Sequence, residues 1–153
     1  RVGEVPFHTE FALGFGKLMR DKGNEFGATT GRPRRCGWFD VVMVQESVML
    51  NGISELAVMK MDVLDGLQKV KICTAYKYKG KLFKEFPHDF EVLSKAVPVY
   101  KEMAGWPNQD GKPNVFKELH PHARAYLLEL QSRLGAKITM VSVGSARKDT
   151  ILV

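Results

Sequence analysis

The sequence predicts an α/β protein with a mostly parallel sheet, flanking helices and a β-hairpin. Three observations carry that prediction. Apolar residues recur at helical spacing in several stretches, most regularly in HPHARAYLLELQSRLG. Short runs rich in Val, Leu and Ile, LAVM and KITMVSVG, are bounded by turn residues, as strands covered on both faces are. KVKICTAYKYKGKLFKEF alternates and then breaks at Lys79-Gly80, the pattern of a strand entering a hairpin.

Taken in order, FHTEFALGFGKLMRDKG carries Phe11, Leu13, Phe15 and Leu18 with Gly23 as its stop, so part of it is helical, although Gly14 and Gly16 weaken the pattern. Asp40 caps a second helix, DVVMVQESVMLNG, whose Val41, Val44, Val48 and Met49 share a face and whose Asn51-Gly52 provides a left-handed exit. LAVMKMDVLDG reads as a strand buried on both faces, ending in Asp62 and an Asp65-Gly66 turn. The following strand alternates around Val70, Ile72 and Thr74. DFEVLSKA is a short helical patch stopped by Pro98, and WPNQDGKPN is a loop by its turn residues. The last helix spaces Ala123, Tyr126, Leu127, Leu130 and Leu134 at helical intervals and stops at Gly135, before KITMVSVG forms another buried strand. No repeat, low-complexity tract or Gly/Ser linker interrupts the chain, so residues 1–153 are expected to be a single segment.

The 153 residues are 44% hydrophobic and 26% charged, enough to bury one core and too apolar for a disordered chain. No apolar run approaches the roughly eighteen residues of a membrane span, and no secretory signal opens the chain, so a soluble, cytoplasmic protein is expected. The chain starts on Arg1, mid-phrase in RVGEVPFHTE, as a piece of a longer protein does. Cys36 and Cys73 have no paired metal-ligand spacing and make no disulfide framework, so both are read as reduced. His8, His88, His120 and His122 are too isolated from other ligand types for a metal site, and Trp38 and Trp106 are expected to be packing anchors. The formal charge of +6 points to anionic partners without distinguishing nucleic acid from a phosphorylated small molecule.

Three loops can carry chemistry. In GATTGRPRR, Gly27 and Gly31 allow close approach to the main chain, Thr29 and Thr30 add hydroxyl and N–H donors, and Arg32, Arg34 and Arg35 supply planar forks for carboxylate or phosphate, with Pro33 stiffening the run. The same residues also fit a solvated basic loop. In KMDVLDG, Asp62 at a strand end can accept two parallel hydrogen bonds from guanine N1–H and the 2-amino group, with Lys60 able to help position the ligand or lie along its face; spacing alone favours a turn-capping aspartate. In SVGSAR, the absence of a side chain at Gly144 lets a purine lie against the backbone.

RVGEVPFHTE, GNEFGATTGRPRRCGWFD, MKMDVLDGL, VKICTAY and SVGSARKDTI occur in the order found in the C-terminal part of the adenylosuccinate synthetase family, which the whole chain closely resembles. The resemblance implies a fold related to P-loop nucleotide hydrolases and a GTP- and Mg²⁺-dependent ligation of IMP with L-aspartate to adenylosuccinate, through 6-phosphoryl-IMP, in AMP biosynthesis. It also implies a homodimer. By position in the motifs, Ala28, Thr29, Thr30, Gly31, Arg32, Pro33 and Arg34 form the aspartate-binding loop, with Arg32 also reaching IMP and Arg34 also reaching GTP. Lys60, Met61 and Asp62, with Ser142, Val143 and Gly144, form the two GTP-contacting segments. The family's phosphate loop, catalytic aspartate and histidine, and magnesium ligands belong to its N-terminal part, so no catalytic or metal residue is expected in this chain and the chain alone is expected to be inactive. The family pattern G-P-F-P-T-E is Val5-Pro6-Phe7-His8-Thr9-Glu10 here, and its proline after the last glycine is Ser145.

The competing reading is a basic nucleic-acid-binding module, supported by the net charge and the arginine loop. Against it, the aromatics are read as not interleaved with the basic residues in the way a stacking platform requires, so neither nucleic acid nor membrane is expected as a partner.

Overall fold

The computed structural model describes residues 6–108 and 111–153; the first five residues of the RVGEVPFHTE motif and Gln109-Asp110 of the WPNQDGKPN loop lie outside them. In chain order the elements are α1 (Leu13–Gly23), β1 (Phe39–Asp40), α2 (Val41–Asn51), β2 (Glu55–Val58), β3 (Lys69–Tyr78), β4 (Lys81–Phe83), α3 (Phe90–Lys95), β5 (Val97–Ala104), α4 (Pro121–Leu134), β6 (Lys137–Ser142) and β7 (Thr150–Leu152), with short 3₁₀ turns at Met61–Leu64, Phe116–Glu118 and Arg147–Asp149. The chain divides into two compact units, Arg1–Val42 with Ile72–Lys101 and Met43–Lys71 with Glu102–Val153. Each crossing from one unit to the other falls inside α2, β3 or β5, which is why no linker composition marks it.

The strands form two small mixed sheets rather than one mostly parallel sheet. In the first, β3 pairs in parallel with β1 (Phe39 beside Ile72, Asp40 beside Cys73), antiparallel with β4, and with β5. In the second, β6 pairs in parallel with β2 and antiparallel with β7. The apolar runs alone do not disclose which neighbour a strand takes, so β1, β5 and β7 were not foreseen. Pro98 sits in β5, a strand that among the described residues pairs with β3 alone, where the missing N–H costs no second ladder.

The first unit's core gathers Val42, Cys73, Tyr76 and Ala96, with Tyr78, Phe83, Phe86 and Tyr100 packed against them. Asp40 ends β1 directly before α2, and its carboxylate accepts a hydrogen bond from the buried Tyr76 hydroxyl at 2.6 Å. The expected face of α1 is corrected: Leu13 is 94% exposed and Leu18 is also outward, while Gly16, Met19 and Gly23 are buried. Gly16 is close-packed, because a Cβ there would stand 3.4 Å from the Cβ of Phe11. The helix ends at Gly23, as expected, with Asn24 as its left-handed cap (φ 48°). Trp38 packs edge-on to Phe11 at 4.9 Å between ring centroids. The β3–β4 turn matches expectation, with Lys79 and Gly80 both at positive φ, as a two-residue primed turn demands.

In the second unit, α4 lies on β6 and buries Ala123, Tyr126, Leu127, Leu130 and Leu134, the five residues its spacing selects. Gly135 closes it at φ 66°. His120 caps its start, accepting from the His122 N–H. In α2, Gly52 provides the left-handed exit, but Met49 is exposed rather than part of a buried face. LAVMKMDVLDG is corrected more fully. Its strand is only four residues long and half-covered, because β2 is an edge strand. Lys60 at φ 61° then breaks it into the 3₁₀ turn at Met61–Leu64.

Candidate functional site

The arginine loop folds as a tight turn within the first unit. Phe26 and Pro33 form an antiparallel bridge, the Gly27 N–H donates to the Arg32 carbonyl at 2.8 Å, and the Gly31 N–H returns to the Gly27 carbonyl at 2.8 Å. Gly31 has φ 64°, a conformation that excludes most side chains, and the Thr30 hydroxyl accepts from the Arg32 N–H. These internal bonds hold Ala28, Thr29, Thr30, Gly31, Arg32, Pro33 and Arg34 outward, all exposed.

The three guanidiniums are not equivalent. Arg35 forks onto Glu10 at 2.6–3.0 Å and stands 5.2 Å from the Phe7 ring centroid. Its hydrogen bond holds the Glu10 carboxyl below the usual carboxylate range and raises the guanidinium in turn. Arg34 reaches Glu25 at 3.0 Å, while its carbonyl accepts from the Arg20 side chain at 2.8 Å. Arg32 makes no ion pair among the described residues and stands exposed at the turn's end. Arg35 is therefore a structural brace. Arg32 is the fork best placed to meet a ligand, and Arg34 is partly committed.

In the second unit, the two other segments named from sequence come together. The Lys60 N–H donates to the Ser142 hydroxyl at 2.8 Å, tying the Lys60-Met61-Asp62 turn to the end of β6. Beside this tie lies a hollow of about 160 Å³ lined by Met61, Asp62, Trp106, Lys112, Pro113 and Val143, among others. The Asp62 Oδ1 atom is buried with no hydrogen-bond partner among the described residues. A buried acceptor left in that state is costly unless something donates to it, which is what a ligand amine or amide would do. Asp65, read as a turn residue, accepts from the Trp106 indole N–H at 2.5 Å. Trp106 is buried, so it is an anchor that also forms a wall of the hollow.

Gly144 does not face open space. A side chain there would collide with the Lys112 ammonium and the Asp149 carboxylate. Lys112 and Asp149 were missed from sequence: the first lies in a stretch that reads only as a turn, the second near the chain's end with no spacing signal.

The reading that aromatics are not interleaved with basic residues is corrected at the β3–β4 hairpin, where Lys77, Lys79, Lys81 and Lys84 alternate around Tyr78 and Phe83. Lys79 lies over the Tyr78 ring at 5.0 Å and Lys81 over the Phe83 ring at 5.2 Å. One face of each ring is thus taken by the chain's own cation. Among the described residues no three His, Cys, Asp or Glu side chains gather to hold a metal, and no helix is long and apolar enough to cross a membrane.

Two mixed sheets, an outward arginine turn and a hollow lined by Asp62, one of whose carboxylate oxygens has no hydrogen-bond partner among the described residues, make up a mixed α/β protein. Its whole length superposes on the fully ligated adenylosuccinate synthetase of Plasmodium falciparum with a TM-score of 0.93 at 36% identity, covering 37% of that chain. The chain belongs to the adenylosuccinate synthetase family, whose model matches residues 1–151. It is 46% identical over 151 residues to the adenylosuccinate synthetase of Syntrophotalea carbinolica and 50% identical over 152 to that of Pelotomaculum thermopropionicum, 99% of this chain in each case. The chain spans 35% and 36% of the length of these curated relatives.

Proposed function

We propose that this chain supplies the aspartate-binding loop and the guanine-nucleotide-binding segments of an enzyme that joins IMP and L-aspartate to adenylosuccinate at the expense of GTP, through 6-phosphoryl-IMP, in purine nucleotide synthesis. The observation that carries the reading is the hollow lined by Asp62, Met61 and Val143, together with an Asp62 Oδ1 atom that is buried without a hydrogen-bond partner among the described residues. A carboxylate so placed accepts from guanine N1–H and the 2-amino group together, a donor pair that adenine lacks.

On this reading Lys60, Met61 and Asp62 with Ser142, Val143 and Gly144 bind the guanine nucleotide, and the loop from Ala28 to Arg34 receives the aspartate carboxylates on its N–H and hydroxyl donors. Arg32 extends to IMP and Arg34 to GTP. The turn's own hydrogen bonds fix the backbone from which these forks extend, so its N–H donors need little rearrangement as charge develops during phosphoryl transfer. Mg²⁺ would neutralise phosphate charge in such a reaction. By the family resemblance its ligands, the phosphate loop of a P-loop-like fold and the proton-transferring residues belong to the remainder of a full-length protein. Homodimer formation and a cytoplasmic setting belong to the same proposal.

In the full-length protein, Asp62→Asn replaces an acceptor with a group that carries its own donor. It is expected to weaken GTP use by about 1–3 kcal/mol, read as kcat/KM, with the constants for IMP and aspartate little changed. Unchanged GTP kinetics would reject the assignment.

A further inference from the structure

We propose that Lys112 is a positioning residue for the guanine-nucleotide hollow, acting through Asp149 on the segment Ser142–Gly144; this rests on the assignment of that hollow made above. The inference starts from Asp149, whose residue surface is only 2% exposed. One carboxylate oxygen, Oδ2, accepts both from the Lys112 ammonium at 2.5 Å and from the Ala146 N–H at 2.9 Å. The main chain of Asp149 closes the same loop: its N–H donates to the Ala146 carbonyl, and its carbonyl accepts from the Val143 N–H, each at 2.9 Å. Asp149 is thus the hub that fixes residues 143–146. Val143 lines the hollow, and Ser142 is the residue bonded to Lys60.

Lys112 reaches the hub from a different part of the chain, 37 residues away, and itself lines the hollow. Gly144 is what admits it, since any side chain there would occupy the space of the ion pair. A buried carboxylate that loses its cation draws on other donors or on water, and the segment it anchors moves with it. Lys112 is half-exposed, so its replacement by Met leaves no cavity and acts through the loss of the cation on Asp149. The hydrogen bond from Lys112 also holds the Asp149 carboxyl below the usual carboxylate range.

The test uses the full-length protein, with steady-state kinetics and equilibrium binding of a non-hydrolysable GTP analogue. Lys112→Met is expected to raise the KM for GTP and the analogue Kd about tenfold with kcat unchanged, and Lys112→Arg to restore both to within about twofold. In a double-mutant cycle, Lys112→Met adds little to Asp149→Asn, because both remove the same contact. If Asp62→Asn impairs GTP use while Lys112→Met leaves KM and Kd unchanged, the hollow binds the nucleotide without help from Lys112 and the inference falls. If neither substitution moves them, the assignment of the hollow falls and takes the inference with it. A loss of kcat shared equally by Lys112→Met and Lys112→Arg also overturns it, since that marks general disruption rather than placement by a cation.

Discussion

Lys60 and Ser142 are joined by a 2.8 Å hydrogen bond from main-chain N–H to hydroxyl across 82 residues of chain. Lys60 reaches it only because its backbone is left-handed, at φ 61°, which turns the chain out of β2 and presents Asp62 to the hollow. A buried serine at the end of one strand thereby sets the exit of its parallel neighbour.

Ser142→Ala deletes this tie without adding bulk. The expected outcome is a loss of about 0.5–1.5 kcal/mol in stability, measured by urea denaturation, and a raised KM for GTP in the full-length protein. Equal stability together with equal KM would show that the bond neither holds the turn nor shapes the hollow.

The two thiols are expected to differ sharply in reactivity. Cys73 is fully buried, and burial, followed by the nearby Asp40 charge, pushes its thiol up to about 12. Cys36 is partly exposed. Titration of the native chain with a thiol-reactive disulfide should modify one cysteine rapidly and the second only after unfolding, because the thiolate is the reactive form. Rapid modification of both under native conditions would contradict the packing of the first unit's core.

Glu91 provides the acid-side prediction. The Tyr78 hydroxyl donates to its carboxylate at 2.7 Å, and Lys95 and Lys79 lie at 3.1 and 3.6 Å, together lowering it from 4.5 to about 2. A carboxyl lowered on folding adds stability that is complete above its unfolded value and is lost as pH falls through the folded one, here from 4.5 down to about 2. The group is solvent-exposed, so the contribution is small and weakens with salt. Carbon-detected NMR titration should place Glu91 lowest among the exposed glutamates, and Tyr78→Phe should move it back toward 4.5. A wild-type titration near 4.5 would remove the Tyr78 bond from the description.

Much of the local structure was legible because its signals act within a few residues. The α4 spacing picked out the residues it buries, and Gly135, Gly52 and Lys79-Gly80 marked the ends and turns that need positive φ. The α1 face departs from its spacing because the large apolar residues do not mark it: the buried positions are Gly16, Met19 and Gly23, and Gly16 packs against Phe11. The length of the LAVM strand was overestimated because composition does not reveal whether a strand lies at an edge.

By itself the sequence determined the family, through long ordered motifs, and nominated the arginine turn and Asp62. Tertiary structure alone decided that Arg35 is spent on Glu10, that Asp62 keeps a buried oxygen without a partner among the described residues, and that Lys112 and Asp149 share the ground beside Gly144. The physical reason is range. Turn conformation and helical periodicity are written in adjacent residues, while a contact spanning 37 or 82 residues depends on which surfaces the strands and α4 bring together, and it leaves no local pattern to read.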